Sequence, residues 1–162
     1  FLYSKFNFYS ESDMRFRFLR NRVLSSEQFN KIVMNLFKSE DFKHLEISKK
    51  LWLNEYKVKL LADEGHEIGL HSHNHPFLIS NYSKSKQFNE YKINYDILKS
   101  ITNIKPTSVA YPLGIYNEDT LDIMNGLKII IGFKSTSNTI DKNLSSINDN
   151  LLLPRFDSAF IK

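Results

Sequence analysis

A chain of 162 residues that is 41% hydrophobic and 25% charged is long enough to bury one core, and too apolar to be a disordered tail. Its formal charge of +4 is mild, so the denser run of Arg15, Arg17, Arg20 and Arg22 reads as solvated surface, with no nucleic-acid motif beside it. The lack of cysteine excludes disulfides and thiolate metal sites, and no apolar run approaches the roughly 18 residues of a membrane span.

Residues 1–24 are aromatic and read as irregular, with Phe16-Arg17-Phe18 alternating weakly like a short strand. Rings of this kind stack on sugar faces, but they serve more often as core or cover. Ser25 with Gln28 fits a capping box, and Leu24 with Phe29 a hydrophobic staple. Phe29, Ile32, Val33, Leu36 and Phe37 follow at helical spacing. Residues 39–54 read as a polar connector with His44 on its surface. Asn54 is a helix N-cap, residues 55–64 form the helix, and Gly65 takes the left-handed residue at its end. Glu67 to Leu70 is short and largely apolar, as in a buried parallel strand.

Residues 83–102 carry Phe88, Tyr91, Ile93, Tyr95, Ile97, Leu98 and Ile101, a long amphipathic helix stopped by Asn103 to Pro106. Thr107 to Tyr111 is a strand ending at Pro112. Asn117 caps the next helix, whose Glu118 and Asp119 suit the dipole at that end. Lys128 to Phe133 reads as a strand, residues 134–150 as a loop, and Leu151 to Phe156 as the last strand. Alternating helices and strands predict a parallel α/β layout with right-handed crossovers, in a single domain over residues 1–162.

Four of the five histidines lie within residues 66–75. Imidazole is the commonest metal ligand near neutral pH, and His71 and His75, four apart, can meet one ion on a helical turn or a loop that curls back. His71 follows a strand, at the carboxyl end where α/β sheets carry their sites. Pro76 disfavours the helical region for His75, which places it on an irregular loop. On a strand His71, His73 and His75 would share a face, and His73 could be a third ligand, though its position puts it beside rather than opposite its partners.

Gly65-His66-Glu67-Ile68-Gly69-Leu70-His71-Ser72-His73-Asn74-His75-Pro76 resembles the histidine motif of the polysaccharide deacetylases (NodB homology domain, carbohydrate esterase family four). The resemblance implies that His71 and His75 are metal ligands, with Ser72 the hydroxyl beside them. The implied cofactor is a divalent metal, zinc first, although two imidazoles also suit cobalt, nickel or iron. Val109 to Tyr116 is similar to the family's third motif in its Ala-Tyr-Pro form. That makes Tyr111, Pro112, Leu113 and Gly114 a wall of the substrate groove, with the backbone after the tyrosine helping to hold the oxyanion. Pro112 and Gly114 would also suit any strand-to-helix turn. Leu153-Pro154-Arg155 resembles a late strand end of the same branch and offers Arg155 to orient the catalytic base, though a surface arginine reads equally well there.

The fold implied is a partial, distorted (β/α) barrel lacking its first βα units, because the family's opening Asp-Asp motif has no counterpart here. Asp13 has no apolar strand before it. Asp63, Glu67, Asp141 and Asp157 are the acids that could substitute, with Asp157 nearest a strand end. The family's late general-acid histidine is absent as well. The implied activity is metal-dependent removal of acetyl groups from N-acetylated sugars of a polysaccharide or glycolipid. The alternative is a non-catalytic, carbohydrate-binding remnant of that fold. A carbohydrate is the expected partner, and nucleic acid is not. The chain opens with Phe1 and no basic-then-apolar leader, which slightly favours a cytoplasmic location. Oligomeric state has no signature in the sequence.

Overall fold

The computed structural model describes residues 9–40, 42–135 and 149–155. The chain divides into two compact units, Phe1–Trp52 and Leu53–Lys162.

The first unit is helical. α1 (Glu11–Phe18) starts at a capping box in which Ser10 and Asp13 each accept from the other's backbone N–H, and continues into a π turn over Leu19–Val23. This corrects the irregular, weakly strand-like reading of Phe16 to Phe18. The box supplies the two end bonds that an alternating pattern cannot supply to a lone strand. α2 (Ser26–Ser39) begins at the expected Ser25–Gln28 box. Residues 44–51, expected as connector, form α3 (His44–Leu51). Lys43 before it makes no side-chain cap, so the usual start signal is missing. Phe37 packs against Phe42 and stacks on His44, with ring centroids 4.9 and 5.1 Å away.

The second unit opens with α4 (Glu55–Asp63), capped by the Asn54 side chain accepting the Lys57 N–H at 2.9 Å. Gly65 has φ +92°, the left-handed residue expected after the helix. The expected strand at 67–70 narrows to a parallel bridge between Leu70 and Val109. α5 (Lys84–Thr102) starts at Ser83 and ends on Asn103 at φ +60°. β1 (Ser108–Ala110) pairs in parallel with β2 (Ile131–Phe133), and Phe133 bridges in parallel to Leu153. α6 (Glu118–Gly126) crosses between the two strands.

Extended segments therefore lie in the order Leu70, β1, β2, Leu153, all parallel, as the alternation predicts. Two expected strands are shorter than read. Ile129 N–H donates to Met124 and Lys128 sits at φ +62°, so residues 128–129 still close α6. Asp149–Leu152 is a 3-10 turn that leaves only Leu153 in the sheet; Phe156 lies outside the described residues. A two-stranded sheet with flanking bridges is what the described residues form, and no closed barrel is seen among them. The core gathers Leu70, Ile79, Tyr91, Val109, Tyr111, Ile123, Met124, Ile129 and Leu151. Each such burial contributes on the order of 1.5–3 kcal/mol. Among the described residues no helix is long and apolar enough to cross a membrane.

Candidate functional site

Leu70 is pinned to β1 by two backbone bonds. Its N–H donates to Ser108 O at 2.8 Å and its carbonyl accepts from Ala110 N–H at 2.9 Å. The next residue, His71, thereby emerges at the carboxyl end of the parallel segments. Its Nδ1 lies 2.6 Å from the carbonyl oxygen of Ala110. A carbonyl only accepts, so Nδ1 carries a proton and Nε2 is the ring nitrogen left to meet a metal, as in metal-binding imidazoles.

The loop then turns sharply. Ser72 (φ +61°) is buried, and its hydroxyl accepts the His75 N–H at 3.1 Å. His75 itself is at φ +50°, off the helical region as Pro76 requires. The two imidazole centroids are 4.8 Å apart in an edge-on arrangement, both rings exposed. His73 is exposed too. Helix α5 grips this loop at two points. Asn94 Oδ1 accepts the His71 N–H at 2.9 Å. Glu90, 9% exposed, accepts the backbone and side-chain N–H groups of Asn74, each at 2.8 Å.

The Ala-Tyr-Pro stretch is the direct continuation of β1, so Ala110 both bonds His71 and introduces the second motif. Tyr111 N–H donates to Phe133 O at 3.1 Å. The Tyr111 ring is wholly buried, 5.2 Å from that of Tyr116, so its backbone and not its phenol borders the carboxyl edge. Burial raises the Tyr111 pKa, and the neighbouring Tyr116 adds to the shift. Pro112–Gly114 is a 3-10 turn with Leu113 exposed at φ +55° and Gly114 at φ +71°. The Ser135 hydroxyl ties the turn down by donating to Leu113 O at 3.0 Å. Arg155 lies on the same edge, exposed, with Nε donating to Lys134 O at 2.7 Å. Three strand spacings separate it from the His71 segment, roughly 14 Å.

The acids weighed as further ligands are elsewhere. Asp63 pairs with Lys59 at 2.9 Å on exposed α4. Glu67 accepts the Thr107 hydroxyl at 2.5 Å, at the amino edge of the sheet. Asp141 and Asp157 lie outside the described residues. Among the described residues no group of three or more His, Cys, Asp or Glu side chains could hold a metal. The histidine pair fits a divalent ion as two ligands of a larger set. Sequence reasoning missed Glu90 and Asn94. Their signal was polarity in phase with a buried stripe, since 87, 90, 91, 94, 95 and 98 share one face of α5.

Residues 26–130 match the family model described as polysaccharide deacetylase. The fold is similar to that of the Streptococcus pyogenes deacetylase PplD in complex with acetate, with TM-score 0.58 and 24% identity over 91% of this chain and 72% of that one. It is also similar to the deacetylase domain of BpsB from Bordetella bronchiseptica, with TM-score 0.53 and 15% identity over 64% of this chain and 48% of that one. A stretch of 63 residues is 36% identical to a gellan lyase from Bacillus sp, covering 39% of this chain and 2% of that protein's length.

Proposed function

Because this chain belongs to the polysaccharide deacetylase family, we propose that it is a hydrolase removing acetyl groups from N-acetylated sugars of a polysaccharide or glycolipid. The sheet is read as an arc of that family's distorted barrel. The observation that carries the reading is the pairing of the two motifs: Nδ1 of His71 is fixed on Ala110 O, and the His75 ring is 4.8 Å away. A divalent metal, zinc first, held by His71 Nε2 and His75, would polarise the acetyl carbonyl and acidify an attacking water.

The chain's own residues position the reacting groups. Ala110 O holds a proton on Nδ1 of His71 and leaves Nε2 as the nitrogen to face a metal. The hydrolysis of an amide places negative charge on the carbonyl oxygen, and that charge needs a donor. Pro112 has no N–H, so Leu113 is the first peptide after Tyr111 able to donate, and its N–H is the assigned oxyanion donor. The exposed Arg155 is the positive charge that would orient a carboxylate base, a group the acids named above do not bring to this edge.

The alternative is a carbohydrate-binding remnant without catalysis. It is favoured by one observation, that the described residues bring two metal ligands together and a catalytic zinc takes three. Metal content of the purified chain and acetate release from an N-acetylated oligosaccharide separate the two. Stoichiometric metal, lost in His71→Ala and in His75→Ala together with acetate release, is the expected result. Saccharide binding without metal or acetate release would establish the alternative.

A further inference from the structure

On that reading of the histidine pair, we propose that Glu90 and Asn94 are positioning residues: from one face of α5 they hold the loop between His71 and His75 in the shape that brings both imidazoles onto one cation. The two residues are one helical turn apart, and they accept three hydrogen bonds from the loop, at His71 N, Asn74 N and Asn74 Nδ2. The loop needs this hold. Ser72 and His75 both occupy left-handed backbone, which side chains other than glycine adopt at a cost. Two further contacts act on it, the bond from His75 N to the Ser72 hydroxyl and that of the His71 ring to Ala110 O.

Glu90 is the stronger anchor. Its carboxylate is buried, and among the described residues no lysine or arginine pairs with it. The Asn74 donors are therefore what satisfies its charge. A buried carboxylate left without donors is costly, so loop and helix hold each other in place. Neither residue would touch the sugar or the cation; both act through the placement of the two histidines.

The chemistry of the contact suggests its own test. Glu90→Gln turns one acceptor oxygen into an NH2 group, which the Asn74 amide can meet only by turning its oxygen toward it, so a neutral contact replaces a charge-assisted one. Adding Asn74→Asp restores a charged contact, because the glutamine oxygen accepts the backbone N–H and its amide donates to the new carboxylate. Zn(II) affinity, measured by competition with a chromophoric chelator, should fall about 10- to 100-fold in Glu90→Gln and in Asn94→Ala. It should recover in the Asn74→Asp/Glu90→Gln double variant. Amide exchange of residues 72–75 should accelerate in the single variants and slow again in the double. Wild-type Zn(II) affinity in both single variants overturns the inference and leaves the proposed function standing. A double variant no better than Glu90→Gln overturns it also, since the contact itself would then not matter. Absence of Zn(II) binding by the wild-type chain overturns the functional reading and this inference with it. If Glu90→Gln does not fold, Asn94→Ala carries the same comparison.

Discussion

At Gly114 two constraints coincide. Its φ of +71° is a conformation that side chains adopt with strain, and a Cβ there would lie 2.3 Å from Ser135 Oγ and 2.9 Å from Ser135 N. Gly65 has the first constraint alone, at φ +92° with nothing within 4 Å. Gly65→Ala should therefore cost about 1 kcal/mol, the strain by itself. Gly114→Ala should cost about 2 to 3 kcal/mol and release the Leu113 carbonyl from the Ser135 hydroxyl. Urea titration of the two variants side by side checks the difference; equal losses would mean that the Ser135 contact yields freely. Gly132 is tighter still in space, with Leu151 O at 2.2 Å from a built Cβ. Gly132→Ala should separate β2 from the 3-10 turn at Leu151, lowering stability by roughly 3 kcal/mol. At this scale the proximity of His71 to His75 and the turn at Gly114 were legible because each is local, a spacing of four or a turn. Glu90 and Asn94 were not, because their partners lie 16 and 23 residues away.

Three helices announced their starts, whereas α1 was missed despite its Ser10 cap. α2, α4 and α6 begin at Ser25, Asn54 and Asn117, which were read correctly because a cap is a short-range hydrogen bond between neighbours. α3 begins without a side-chain cap and was missed. The start of α6 is also tied into the rest of its unit. Asn117 Oδ1 accepts the Thr120 N–H at 3.0 Å, and its amide donates to Ser80 O at 3.2 Å. The Thr120 hydroxyl donates to Gln87 Oε1 at 2.6 Å, and Gln87 Nε2 donates to Tyr82 O at 3.0 Å. Thr120 and Gln87 are both wholly buried. Thr120→Val leaves the Gln87 oxygen and the Asn117 N–H buried without this partner, an expected loss of about 3 kcal/mol. Asn54→Ala removes only an exposed cap bond, an expected loss of about 1 kcal/mol. Thermal or urea unfolding of both variants reads the contrast. Strand lengths were overestimated for a related reason. An apolar run reports burial, whereas a strand needs a neighbour to pair with, and Lys128 and Ile129 instead bond back into α6.

For the molecule as a whole, the core carries a pH dependence of its own. Tyr91 and Tyr111 are fully buried, and burial raises both pKa values. The Tyr111 phenol and the Glu90 carboxylate add to the shift at Tyr91, and Tyr116 adds to that at Tyr111. Above the ordinary tyrosine pKa of about 10, the unfolded chain loses these protons and the folded one keeps them. Their stabilising effect is therefore complete below about pH 10 and is lost as pH rises beyond it. Stability from this source should be level between roughly pH 7 and 9, then fall by up to about 1.4 kcal/mol per pH unit for each tyrosine. Tyr91→Phe should make the alkaline limb shallower in urea titrations across that range; an unchanged limb would assign it to other groups. The sequence by itself determined the alternation of helices with extended segments, the three Ser or Asn caps, the family and the histidine pair, because each is written in neighbouring residues. Only the tertiary structure decided that Ala110 O holds a proton on His71 Nδ1, that Tyr111 turns its phenol into the core, and that α5 holds the histidine loop. Those contacts join residues far apart in the chain, and a local pattern carries no record of which distant groups the sheet brings to one edge.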